Sequence, residues 1–62
     1  MDWANKIKEL RLKLLLTQTE FGELVGVGFT SINRYENGKC MPTMKVKRKF
    51  KELFEKYGIK MD

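Results

Sequence analysis

The sequence predicts an all-α fold in which four short helices form a compact unit. Apolar residues recur at intervals of three and four along separate stretches, which is the spacing of one face of a helix. Residues that commonly cap helices precede these stretches, and a glycine follows three of them. The chain has 62 residues, 42% of them hydrophobic, so it can build one modest core. We therefore expect a single domain over residues 1–62.

The first helix is predicted over residues 2–14. Asp2 is a suitable N-cap, because its carboxylate can accept a free backbone amide and its charge favours the positive end of the helix dipole. The apolar residues at helical spacing are Trp3, Ile7, Leu10 and Leu14.

A pair of short helices is predicted next, at about residues 18–25 and 29–36. Thr17 and Glu20 have the spacing of a capping box, which opens the first of them. Gly26 follows its apolar stripe, at the place where a left-handed residue usually closes a helix. That stripe consists of Phe21, Leu24 and Val25. Two short helices joined by a glycine-containing turn are a helix-turn-helix pattern.

The second helix of this pair carries a row of polar groups on its outer face. Ile32 and Tyr35 are expected to face inward. Hydroxyl, carboxamide and guanidinium groups are those that proteins use to read base edges or to hold phosphates. The alternative is a solvated surface, because any exposed helix carries polar residues on its outer side. The row consists of Thr30, Asn33, Arg34 and Asn37.

The fourth helix is predicted from Met44 to about Tyr57, with Thr43 as its cap and Gly58 as its stop. Its apolar face is formed by Val46, Phe50, Leu53, Phe54 and Tyr57. Basic residues crowd its first half, either as a solvated face or, for Lys45, Lys47 or Arg48, as an extension of a phosphate-binding surface. The basic residues are Lys45, Lys47, Arg48, Lys49 and Lys51.

The charge and residue types restrict the classes of function. The chain has 13 Lys and Arg against 8 Asp and Glu, a net charge of +5, which favours a polyanionic partner: nucleic acid first, an anionic membrane second. It has no histidine and one cysteine, Cys40, so we expect no internal disulfide, no metal site and no cofactor. No nucleophile stands beside a base and no phosphate loop is present, so we expect neither an enzyme nor a small-molecule site.

The central stretch resembles the DNA-binding domain of the lambda-repressor-like (Cro/CI, Xre) family of helix-turn-helix regulators. The likeness needs no gap from Leu16 to Thr43. It rests on Leu16-Thr17-Gln18, Phe21-Gly22, Gly26-Val27, Ile32, Tyr35-Glu36-Asn37-Gly38-Lys39 and Pro42. The resemblance implies sequence-specific binding of double-stranded DNA, with helix 29–36 in the major groove, by a small transcriptional regulator that we expect to be a repressor. It also implies a cytoplasmic protein of bacterial or phage type that acts at the nucleoid.

The residue types and the resemblance together assign roles to individual residues. Base reading falls to Phe29, Thr30, Asn33 and Arg34. Contacts to the DNA backbone fall to Gln18, Gly28, Asn37, Lys39 and Lys45, of which Gln18 is also expected to brace a side chain of the recognition helix. An ion pair between Arg11 and Glu36 is expected to tie the first helix to the end of the recognition helix.

Four departures from the family pattern bear on the prediction. Leu15 stands where glycine usually ends the first helix, so we expect either another turn geometry or a helix that continues by one residue. Gly22 replaces the usual alanine where the two motif helices cross. Phe29 replaces a polar residue and is expected to contact a thymine methyl group, unless it folds onto the core or onto a partner protein. A fifth helix is missing, so the chain is either a four-helix version or a piece of a longer protein.

Three further expectations concern the partner, of which the last two are alternatives to DNA. A homodimer would address two half-sites of a pseudo-palindrome about one helical turn apart. A protein-interaction module, such as an antitoxin or adaptor, would use an apolar patch of Phe29, Cys40 and Met41. A membrane-surface helix over residues 44–57 is disfavoured, because its apolar residues are needed to close the core.

Overall fold

The computed structural model describes residues 2–60 and contains four helices in this range. They are α1 (Trp3–Lys13), α2 (Gln18–Val25), α3 (Phe29–Glu36) and α4 (Met44–Lys56). The predicted all-α class is confirmed, and each helix begins and ends within about a residue of its predicted bounds. Residues 1, 61 and 62 lie outside the described range, so the extent of the domain stays a prediction.

Side chains cap three of the four helices at their N-termini. The Asp2 carboxylate accepts a hydrogen bond from the Asn5 amide at 3.2 Å. Both bonds of the capping box at α2 are present, with the Thr17 amide donating to Glu20 at 2.9 Å and the Glu20 amide donating to Thr17 at 3.1 Å. At α4 a single bond forms the cap, in which the Val46 amide donates to the Thr43 hydroxyl at 3.4 Å. These local bonds explain why the helices begin where the sequence predicts.

Each helix is followed by a residue in the left-handed conformation. The φ angles are 57° at Leu15, 92° at Gly26, 70° at Gly38 and 74° at Gly58. The next residue then donates its amide to a carbonyl five residues earlier, as in the Schellman motif. The N–O distances are 3.1 Å for Leu16 to Arg11, 2.9 Å for Val27 to Gly22, 2.9 Å for Lys39 to Arg34, and 2.8 Å for Ile59 to Phe54.

Leu15 corrects both expectations for the end of the first helix. The helix does not continue, and the turn keeps the left-handed geometry that the family forms with glycine. The Leu15 side chain is 90% exposed, so it opposes the turn only through its own Cβ. The turn is held from outside, because Nη1 of Arg11 donates to the Leu16 carbonyl at 3.0 Å. The strain of a non-glycine residue here costs about 1–2 kcal/mol.

We expect Leu15→Gly to raise the free energy of unfolding by about 0.5–1 kcal/mol. The gain is the relief of about 1–2 kcal/mol of strain less the roughly 0.5–1 kcal/mol that the added freedom of glycine contributes to the unfolded chain. Urea unfolding followed by circular dichroism measures it. Leu15→Ala is the matched control, since it removes the exposed side chain but keeps the Cβ, and it should stay within about 0.5 kcal/mol of the parent. Equal effects of the two substitutions would contradict strain as the cause.

The core lies where α4 closes over the other three helices. Phe50 stacks on Phe54 with ring centroids 6.1 Å apart. Its centroid also lies 5.7 Å from that of Phe21 and 6.1 Å from that of Tyr35, with which it forms a T-shaped pair. Aromatic pairs in such arrangements stabilise a core beyond their buried area. The buried apolar residues are Ile7, Leu10, Phe21, Ile32, Tyr35, Phe50, Leu53, Phe54 and Ile59. Ile59 and Pro42 are buried although helical periodicity gave no sign of it.

The crossing of α2 and α3 corrects one detail of the predicted stripe. Leu24 was expected to face the core, but it is 43% exposed. The buried face of α2 is instead formed by Phe21 and Gly22, because the turn comes very close to the glycine. A Cβ on Gly22 would lie 2.5 Å from the Val27 carbonyl oxygen. The alanine that is usual here would therefore require the turn to move.

Within the range that the structure describes, no helix combines the length and the apolar character needed to cross a membrane.

Candidate nucleic-acid interface

Helix α3 presents one face to solvent and the other to the core. Ile32 and Tyr35 are buried, while the four side chains of the opposite face and Phe29, at the edge between the two faces, are exposed. Those five are Phe29, Thr30, Asn33, Arg34 and, at the C-cap, Asn37. This orientation follows from the helical period, since positions 32 and 35 share one face and positions 30, 33, 34 and 37 share the other. The predicted row thus faces outward as a continuous strip.

A bidentate ion pair fixes the end of α3 to α1. Nε of Arg11 donates to Oε2 of Glu36 at 2.6 Å, and Nη2 donates to Oε1 at 3.0 Å. The Arg11 side chain is 14% exposed and that of Glu36 only 4%, so the pair is shielded from water. The hydrogen bond to Glu36 raises the pKa of Arg11, burial opposes this shift, and the charge of Glu36 adds to it. Because the pKa of Arg11 is raised by folding, the pair contributes fully to the free energy of unfolding at any pH below the ordinary arginine pKa. This contribution is lost only in extreme alkali.

The same carboxylate begins a chain of hydrogen bonds across the strip. Gln18 donates from Nε2 to Oε1 of Glu36 at 3.2 Å, and Asn33 donates from Nδ2 to Oε1 of Gln18 at 3.3 Å. Asn37 donates from Nδ2 to the Asn33 side-chain oxygen at 3.2 Å and to its backbone carbonyl at 2.9 Å. We call Arg11, Glu36, Gln18, Asn33 and Asn37 the polar network. It joins α1, α2 and α3, and it orients two side chains of the exposed strip.

The polar network shows which side chain of the recognition helix Gln18 contacts, which the sequence did not specify. Gln18 was expected to brace some side chain of the recognition helix, and in the structure this side chain is Asn33. The link between Asn37 and Asn33 was not predicted at all. Its only signal in the sequence was the spacing of four residues, at which side chains on one helix face can meet.

Phe29 stands at the first position of α3 and is 57% exposed. It does not fold onto the core, so that alternative is wrong. Gly28, before it, offers no side-chain cap, and nothing lies within 4 Å of the place where its Cβ would be. The start of α3 therefore presents open backbone beside an exposed aromatic ring.

Unpaired positive charge lies on the strip and beside it. Arg34, Lys39 and Lys45 are exposed. Over residues 2–60 the ion pairs involve Lys6 and Arg11, so none of these three cations is neutralised by a neighbouring carboxylate. The exposed loop residues Cys40 and Met41 lie between them in the chain. A surface with an oriented polar strip and free cations can bind a polyanion that also offers hydrogen-bonding groups.

Comparisons with known proteins agree with this arrangement. A family model described as Helix-turn-helix matches residues 7–62, which includes α2, α3, α4 and most of α1. A protein of Pyrococcus furiosus named "Putative HTH-type transcriptional regulatory protein" is 34% identical over 57 residues, which cover 92% of this chain but 18% of that relative. The chain thus spans less than a fifth of the length of that relative, and no solved structure matches it significantly. This chain belongs to the helix-turn-helix family of the Cro/CI, Xre type.

Proposed function

We propose that this chain binds double-stranded DNA sequence-specifically as the DNA-binding part of a transcriptional repressor, with α3 in the major groove. Family membership and the net charge of +5 support DNA as the partner. One observation carries the proposal: two side chains of the exposed strip of α3, Asn33 and Asn37, are oriented by a polar network from three helices. A surface that reads bases needs such preorganised side chains, whereas a solvated surface does not.

Two side chains of the strip are suited to direct base reading. Arg34 can donate two hydrogen bonds to O6 and N7 of guanine. Asn33 uses one N–H for Gln18 and one lone pair for Asn37, which leaves one donor and one acceptor free. One donor and one acceptor are what a carboxamide needs to bind N7 and N6 of adenine. In our proposal Thr30 reads a base near the start of the helix, and Phe29 contacts a thymine methyl group.

The flanking groups are proposed to hold the sugar-phosphate backbone. Gln18 and Asn37 are the two neighbours of Asn33 in the polar network, and the amides after Gly28 point out of the helix start, where an anion is favoured. Lys39 and Lys45 supply exposed positive charge after the recognition helix. Such contacts set the register and the affinity but carry no sequence information.

Repression would follow if the bound protein blocks access to the DNA. A homodimer would place two recognition helices on half-sites about 34 Å apart, one turn of the duplex. The expected operator is therefore a pseudo-palindrome.

The proposal is tested by selecting randomised duplex DNA on the protein and titrating the selected site and a scrambled duplex by fluorescence anisotropy. The selected site should be two-fold symmetric and bind at least ~10³ times more tightly than the scramble. Both affinities should fall as salt rises, because bound phosphates release counterions. Equal and weak binding of both duplexes would contradict the proposal. It would favour a protein-interaction module built on Phe29, Cys40 and Met41, which are all exposed.

We expect Phe29→Ala to lower discrimination between operator sequences without unfolding the protein. Discrimination at one T·A position should fall by about 1 kcal/mol, roughly fivefold, the low end of what one base pair contributes. Stability should change by less than about 0.5 kcal/mol, since the ring is largely outside the core.

Met41→Ala is the matched control for Phe29→Ala. Met41 is 59% exposed but lies in the loop after α3. It should leave the base preference unchanged. Equal loss of affinity for every DNA sequence in Phe29→Ala, together with a large drop in melting temperature, would show that Phe29 is structural.

A further inference from the structure

The outer face of α4 carries opposite charges at its two ends. Eight residues of α4 are exposed, and five of them form a row along the side away from the buried Phe50, Leu53 and Phe54. In chain order they are Met44, Arg48, Lys51, Glu52 and Glu55, and we call them the α4 stripe. The first half of the stripe is therefore cationic and the second half anionic.

The charges of the stripe do not neutralise one another within the helix. Arg48 and Glu52, like Lys51 and Glu55, are four residues apart, where an ion pair could form. The described part of the chain contains no ion pair between them. A basic residue before an acidic one is the less favourable order at this spacing, because it also opposes the helix dipole. All four charges are available to another molecule.

A groove of about 290 Å³ runs beside the cationic half of the stripe. It is lined by Trp3 and Met44, which are apolar, and by the side chains of Lys47, Arg48 and Lys51. Nζ of Lys47 lies 5.3 Å from the centre of the Trp3 ring, which keeps this cation at the groove wall. Glutamate side chains fit a groove with an apolar wall and three cations. Their methylene groups can cover the apolar wall while their carboxylates pair with the cations.

We propose that the groove receives the anionic half of α4 from a second copy of this chain. In an antiparallel pair of α4 helices, with a two-fold axis midway between residues 51 and 52, Arg48 lies opposite Glu55 of the second copy. Lys51 then lies opposite Glu52 of the second copy. The symmetry repeats each pair, so the same patch serves both copies, as an isologous interface requires. Besides α4, the interface involves Trp3 of α1, which lines the groove.

This interface leaves the DNA-facing strip free. Trp3 precedes Arg11 by eight residues, which is about 12 Å along a helix, so the groove and the polar network lie at opposite ends of α1. The α4 interface specifies how the homodimer of the proposed function forms, and its role in DNA binding rests on that proposed function. Its test uses no DNA, so a failure here and a failure to bind DNA are distinguishable.

The test is sedimentation equilibrium of the whole chain without DNA, between about 10 µM and about 1 mM, the range in which small, polar interfaces associate. The parent should dimerise, and the dissociation constant should rise between about 0.1 M and about 1 M salt, over which the Debye length falls from about 10 Å to about 3 Å. Arg48→Glu should raise the dissociation constant at least ~10-fold, since each interface then has two repulsive contacts. Adding Glu55→Arg to Arg48→Glu should restore it to within about threefold, because the swap recreates both pairs.

Lys49→Glu is the matched control, since it changes the net charge by the same amount, from +5 to +3, at an exposed position of α4 outside the stripe. It should not weaken the dimer. Trp3 is the single tryptophan of the chain, so its emission should shift with concentration as the groove is covered. Circular dichroism checks that each variant is folded.

A parent that stays monomeric to about 1 mM would overturn the proposal and leave the groove to a different acidic partner. A dimer that Arg48→Glu and Lys49→Glu weaken equally, or that the charge swap does not restore, would overturn it as well.

Discussion

Arg11→Ala is expected to lower the free energy of unfolding by about 3–5 kcal/mol, the range for removing one partner of a buried ion pair. The Glu36 side chain is 4% exposed and would keep only the hydrogen bond from Gln18. The Leu16 carbonyl would also lose its donor beside the strained turn at Leu15. A domain of 62 residues has roughly 3–9 kcal/mol of stability in total, so the variant should be partly or largely unfolded at 37 °C. Urea and thermal unfolding by circular dichroism measure the loss.

Two controls separate the ion pair from loss of the side chain. Lys13→Ala removes an exposed cation from the end of the same helix and should change stability by less than about 0.5 kcal/mol. Arg11→Met combined with Glu36→Leu removes both charges and should be much more stable than Arg11→Ala, because no carboxylate is left buried without its partner. An Arg11→Ala variant as stable as the parent would contradict the role of the pair.

Arg34→Ala is expected to weaken binding to the selected DNA by about 1–3 kcal/mol, roughly 5- to 150-fold, and to relax the preference at one G·C pair. The side chain is exposed and has no carboxylate partner within residues 2–60, so stability should stay close to that of the parent. Anisotropy titrations against the selected duplex and its single-base variants provide the measurement.

Lys39→Ala provides the comparison for Arg34→Ala. A phosphate contact should weaken binding to all duplexes alike and lower the salt slope by about one, without a change in base preference. If Arg34→Ala behaved in the same way, Arg34 would be a phosphate contact, and base reading would fall to Asn33 and its neighbours.

Local interactions explain most of what was predicted for the fold. The bonds that cap α1, α2 and α4 at their starts join residues three apart, so they can be recognised from the residue types alone. Gly26, Gly38 and Gly58 can likewise be recognised as helix ends from the residue type alone, because glycine adopts the left-handed conformation without strain. Leu15 shows the limit of this reasoning. A leucine disfavours the left-handed conformation, but the hydrogen bonds around Leu15 hold the turn in that conformation.

Contacts between distant parts of the chain were predicted less completely. The Arg11–Glu36 pair was implied only by the family resemblance. The two residues are 25 positions apart, and no local pattern in the sequence indicates that their side chains meet. The exposure of Leu24 and the burial of Ile59 depend on how the helices turn against one another, which periodicity does not specify to within one residue.

The amino-acid sequence by itself determined the four helices, their starts, the stops of the last three, and the polar row of α3, because these depend on hydrogen bonds and periodicities within a few residues. The tertiary structure alone decided that Gln18 holds Asn33 across 15 residues, that Phe29 stays off the core, and that Trp3 and α4 form a charged groove. These features depend on distances between side chains of different helices, which exist only after the aromatic core has brought the helices together.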